Sequence, residues 1–194
     1  MNIKKTIGIL ILLITGVAGG MAQKVALKTN MLSDVALTPN LGVEIGLSPK
    51  WTLDISGQLN AWNVDGKRWR HWLAYPEARY WFCNTFQGNF LGFHAFGGQF
   101  NVGNIHNNLK IFNWDFSRLS NYRYQGWAAG AGVAWGHAWI LATHWNIELE
   151  VGVGWAYMKF DTYPCAGCGS AIQKGRHRNY VGPTKLALNL EYVF

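Results

Sequence analysis

From Trp145 to Tyr157 the chain keeps a strict period of two. Odd positions carry Trp145, Ile147, Leu149, Val151, Val153, Trp155 and Tyr157; even positions carry Asn146, Glu148, Glu150, Gly152, Gly154 and Ala156. Successive side chains of a strand point to opposite faces, so this is one strand with a greasy face and a charged face. The C-terminal segment repeats the pattern, with Leu186, Leu188, Leu190, Tyr192 and Phe194 against Lys185, Ala187, Asn189 and Glu191. So do Leu41, Val43, Ile45 and Leu47 against Gly42, Glu44 and Gly46, and Leu53, Ile55 and Leu59 against Thr52, Asp54, Ser56 and Gln58. Trp127, Ala129, Ala131, Val133 and Trp135 face away from a row of Gly and Ala. A chain built this way folds as β-sheet.

Eight strands are predicted, at 24–33, 41–47, 51–61, 73–82, 90–102, 126–140, 145–158 and 182–194, with Gly97-Gly98 a candidate bulge. The connections 34–40, 48–50, 62–72, 83–89, 103–125, 141–144 and 159–181 alternate long and short. An even-stranded outer-membrane barrel does this, with short turns in the periplasm and long loops outside. A soluble sandwich has no reason to gather its long loops at one end.

The alternation also assigns the faces. Lys28, Glu44, Asp54, Glu77, Arg79, Glu148, Glu150, Lys185 and Glu191 all fall on one side. A Lys or Arg facing lipid at mid-bilayer costs about 2–4 kcal/mol, so this face turns inward and the aliphatic rows meet lipid. An eight-stranded barrel has room only for side chains inside. Six carboxylates and three cations there form a plug of ion pairs; a catalytic Glu148–Glu150 pair or a narrow pore are the alternatives. A lipocalin-like soluble barrel would place its apolar row inside instead.

Composition fits this picture. Charged residues make up only 14% of the chain, against about 25% in an ordinary soluble domain, while Trp reaches 11 and Gly 23. Leu47-Ser48-Pro49-Lys50-Trp51 and Leu141-Ala142-Thr143-His144-Trp145 repeat one turn pattern and set Trp at a strand start, where an aromatic girdle belongs. A carbohydrate or nucleic-acid reader would also be aromatic, but here the rings follow the strand period.

At the N-terminus, Lys4 and Lys5 precede an apolar run at 7–17, followed by Ala18, Gly19, Gly20 and Ala22. That is the order of a secretory signal peptide. The expected organisation is a signal peptide at 1–22 and a barrel domain at 23–194, whose net charge falls from +7 to +5 when Lys4 and Lys5 leave.

Lys28-Thr29-Asn30, Thr38-Pro39-Asn40-Leu41-Gly42-Val43-Glu44, Pro76-Glu77-Ala78-Arg79-Tyr80-Trp81, the turn from Gly136 to Trp145 and Glu148-Leu149-Glu150-Val151-Gly152-Val153-Gly154 resemble the signatures of an outer-membrane barrel family of Bacteroides-type bacteria, domain-of-unknown-function family 3575. The resemblance covers nearly all of the chain after the signal. It implies an eight-stranded barrel and supplies no activity; members tend to be encoded near surface-fimbria genes, which points toward surface assembly.

Candidate chemistry is sparse. Cys165 and Cys168 sit in the last long loop, where a disulfide, a reduced pair or, with His177, part of a zinc site are open, and Cys83 stands alone in a short turn. His94 and His137 line or flank the barrel, and His71, His106, His144 and His177 fall in connections. A lipid A deacylase would show His and Ser on one strand face, and no His-x-Ser occurs. The long loops are basic, with Lys67, Arg68, Arg70, Lys110, Arg118, Arg123, Lys174, Arg176 and Arg178 against Asp65, Asp115 and Asp161, which suits lipopolysaccharide phosphates.

The reading is therefore an all-β outer-membrane barrel of a Gram-negative bacterium with a side-chain-filled lumen, acting in surface structure, adhesion or fimbria assembly. No catalytic, cofactor or metal residue is assigned, and no cofactor is expected. Expected partners are outer-membrane lipid and lipopolysaccharide, a fimbrial or other surface protein, and the barrel-assembly machinery through the aromatic C-terminus at Phe194; nucleic acid is not expected, and the chain is read as a monomer. The competing readings are a lipid A-modifying hydrolase or acyltransferase and a narrow transport pore.

Overall fold

The computed structural model describes residues 24–194, apart from 62, 65–66, 106–109, 112–113, 116–118 and 166. The proposed signal segment and His106 lie outside the described residues. Eight long strands form the wall: β1 (Val25–Asn30), β2 (Asn40–Ser48), β3 (Trp51–Asn60), β4 (Lys67–Trp81), β5 (Gly88–Gly103), β6 (Arg123–Ile140), β7 (Trp145–Tyr163) and β8 (Gln173–Val193). Each pairs antiparallel with the next, and β1 pairs with β8 from Ala26 opposite Val193 to Asn30 opposite Asn189, so the sheet closes into a ring. A short helix, α1 (Met31–Val35), follows β1, and a small ribbon pairs Lys110–Ile111 with Trp114–Asp115.

The predicted eight strands are present, but their ends differ. Residues 67–72, 159–163 and 173–181 were expected in connections and are strand, so His71 and His177 sit on strands too. Charged and polar side chains interrupt the apolar row in these stretches and hide them from a search for alternation. They extend the wall at the end of the long connections, with 67, 69–70 and 173–179 exposed and only Phe160 and Thr162 buried there. At the other extreme β1 stops at Asn30 instead of running to residue 33, because Asn30 accepts a bond from the Leu32 amide and caps α1. Gly97 and Gly98 are not a bulge: they keep register with β6. The irregularities lie at Gly46/Ser48, Gly152/Val153 and Phe160/Thr162.

The faces are as the alternation predicts. Ile55, Trp135, Val151, Val153, Trp155 and Leu186 are exposed on the outer wall, while Asp54, Ala134, Gly136, Gly152, Ala156 and Ala187 next to them are buried. Connections 49–50, 82–87 and 141–144 gather at one end with the termini of β1 and β8; connections 31–39, 61–66, 104–122 and 164–172 gather at the other.

Candidate functional site in the barrel lumen

Six of the eight strands send charge inward, and a seventh adds an imidazole: Lys28 from β1, Glu44 from β2, Asp54 from β3, Glu77 and Arg79 from β4, Glu148 and Glu150 from β7, Lys185 and Glu191 from β8, and His94 from β5. The remaining strand, β6, supplies small residues that make room. At Gly136 a Cβ would stand 2.2 Å from Cζ of Phe90, and on β5 a Cβ at Gly92 would stand 2.7 Å from Oε1 of Glu77. The nine charges predicted to turn inward all do so; eight are buried, and the Lys185 side chain is 9% exposed.

Arg79 is the hub. Its Nε donates to Glu77 Oε1 at 2.5 Å, one terminal nitrogen reaches Glu44 at 2.7 Å and Glu148 at 2.8 Å, and the other reaches Glu150 at 2.7 Å and Asp54 at 3.2 Å. A planar fork of five donors is what lets one cation hold five carboxylates. Its guanidinium lies 4.5 Å from the Phe90 ring centroid. Lys28 bridges Glu44 at 2.5 Å and Asp54 at 2.9 Å; Lys185 bridges Glu77 at 2.7 Å and Glu150 at 2.9 Å. Thr52 donates to the second oxygen of Glu44, and Asn189 donates to Glu148 at 2.6 Å. Three cations thus meet six carboxylates, a formal surplus of three negative charges. The least compensated is Glu191, which makes no ion pair among the described residues and accepts only from the Asn146 amide, at 3.3 Å.

Below the network, on the side of the short turns, Trp81 and Phe90 pack 4.7 Å apart, with Phe86 beyond them. Above it the lumen opens into a polar cavity of about 200 Å³. Thr184, the extra residue at the Gly152/Val153 register shift, turns toward this cavity and lies 2.9 Å from His94 Nε2.

The chain matches the family model described as a protein of unknown function, DUF3575, over residues 7–194. It belongs to that family. No curated protein matches it significantly. Among solved structures it is similar to the neisserial surface protein A, at 14% identity and a TM-score of 0.39, covering 89% of this chain and 95% of that one. Family membership names no activity, so the side chains of this DUF3575 member must be weighed individually.

Thr184, His94 and Glu77 form a hydroxyl–imidazole–carboxylate series that pattern reading missed, since 90 residues separate the first two. It is poorly built for acyl transfer: Glu77 Oε2 is 3.8 Å from His94 Nδ1, that nitrogen makes no hydrogen bond among the described residues, and the carboxylate is held by Lys185 and Arg79. Glu148 and Glu150, considered as a catalytic pair, are both consumed by Arg79. His137 flanks the wall outside the lumen and meets Asn89 at 2.8 Å. His144 lies exposed in a turn.

Cys165 and Cys168 are joined as a disulfide, so neither offers a thiolate to a metal, and Cys83 is a free, exposed thiol. Arg123 is not a loop cation open to partners: it is buried, donates to the Cys168 carbonyl at 2.8 Å, and stacks 3.8 Å over Tyr163. Lys67, Arg70, Lys174, Arg176 and Arg178 are exposed as expected.

Proposed function

We propose that this chain is an outer-membrane barrel that serves as a surface structural or fimbria-assembly protein rather than as a channel or a catalyst. The observation that carries this is the lumen: an Arg79-centred ion-pair network stacked on the Trp81–Phe90 pair fills the middle of the barrel with packed side chains. The outer wall supports the membrane location, because its exposed residues are aliphatic and aromatic, while charge lies in the interior, on the overhanging strands and in the connections at the two ends. The exposed Lys67, Arg70, Lys174, Arg176 and Arg178 suit contact with lipopolysaccharide phosphates, and the aromatic end at Phe194 suits the assembly machinery. A deletion strain scored for surface fimbriae and for lipid A mass tests the role. Fimbriae reduced with lipid A unchanged is expected; intact fimbriae with altered lipid A would instead favour a lipid A-modifying enzyme, for which the Thr184–His94 contact is the starting point. Purified barrel in planar bilayers should pass no stepwise current, and open-channel steps would revive the pore reading.

A further inference from the structure

The wall of the barrel has a low point. β1 is six residues long and spans roughly 20 Å even untilted, less than the ~25 Å apolar band of an outer-membrane barrel, which needs about 9–11 residues per strand. β1 ends opposite Asn189, so from Leu188 outward β8 keeps a strand neighbour on the β7 side alone. Open backbone is costly in hydrocarbon, and here it is patched. The Asn30 side chain accepts from the Leu188 amide at 3.2 Å and donates to the Leu186 carbonyl at 3.3 Å. Tyr180 donates its hydroxyl to the Pro183 carbonyl at 3.0 Å, and Pro183 has no N–H to satisfy. The connection that tops the gap exposes Leu32, Val35 and Leu37, with Val35 84% exposed, which suits lipid rather than water. The polar cavity reaches this gap, since Asn30, Ser33 and Leu186, which border it, also line the cavity.

We propose that this notch admits one outer-leaflet amphiphile, its uncharged, hydroxylated headgroup in the cavity and its acyl chains leaving past Leu186 and Leu41. The inference rests on the membrane reading above. Amide and hydroxyl groups of Asn30, Ser33, Ser56, Gln58, Tyr75 and Thr184 line the cavity together with the charged Lys28, Asp54 and Lys185. Asp54, which lines the cavity, has a buried Oδ1 with no hydrogen-bond donor among the described residues, so it can accept from a hydroxyl that enters. An anionic headgroup is disfavoured, because Lys28 and Lys185 are each already bound to two carboxylates and the lumen holds six carboxyl groups to three cations. A cavity of about 200 Å³ has room for one sugar-sized group.

The test is native mass spectrometry of the barrel released from octyl tetraethylene glycol micelles, with monoglucosyl diacylglycerol and phosphatidylglycerol of identical chains added in turn. One glucolipid per barrel should be retained, about tenfold more than phosphatidylglycerol. Ser56→Phe, which fills the cavity, should reduce it to the phosphatidylglycerol level. Ser33→Trp, placed in the connection outside the wall strands, should do the same if Ser56→Phe does not fold. Equal retention of the two lipids, no retention, or glucolipid retained alike by wild type and both variants would overturn the proposal. A mobility shift of the same unheated sample keeps the barrel itself separate: its absence would sink the membrane reading, and its presence with failed retention would sink only the lipid site.

Discussion

At the residue scale, the lumen divides its charged groups into one that is indispensable and one that is not. Removing Arg79 would leave five buried carboxylates without their shared cation. Breaking a buried pair costs about 3–5 kcal/mol, so Arg79→Met should lose at least that in urea titrations of the folded barrel, with Arg79→Lys lying between because an ammonium cannot fork to five partners. Stability within about 1 kcal/mol of wild type for Arg79→Met would contradict the hub assignment. Glu191 is the counterexample. It is buried and, among the described residues, lacks an ion pair and has one oxygen without a hydrogen bond, so Glu191→Gln should leave stability equal or raise it by up to about 1 kcal/mol in the same titration.

At the element scale, β6 contributes by being small. Gly136→Val would drive methyls into the Phe90 ring that stacks under Arg79, and should destabilise by about 1–3 kcal/mol or prevent assembly. Strand alternation made β2, β3, β7 and the inward charges legible in advance, because one side chain in two met each environment. It could not show the overhangs, where Lys67, Arg70, Lys174 and Arg176 leave neither face apolar. Nor could it show the gap beside β1. The Asn30–Leu186 contact spans 156 residues, and the pairing of one amide side chain with a distant strand edge leaves no periodic trace. The two ends of the elements make an orientation test. Cys83 lies with the short turns, and the Cys165–Cys168 disulfide lies with the long connections. A membrane-impermeant maleimide should therefore miss intact cells, label one thiol after the outer membrane is breached, and label two on intact cells after mild reduction. Labelling of Cys83 on intact, unreduced cells would invert the topology.

At the scale of the whole molecule, the barrel turns an ordinary globule inside out: charge in the middle, aliphatic and Trp side chains at the perimeter. Such a particle is stable only where its perimeter meets hydrocarbon, and a closed ring satisfies the backbone there except at the patched gap. The lumen network and the outer wall are thus two consequences of one period-two pattern. The most direct measurement is the mobility of detergent-extracted protein on a gel with and without boiling. An intact barrel should run faster unheated, shift on boiling, and fractionate with outer membranes. A single mobility in both lanes, with the protein in the soluble fraction, would contradict the account.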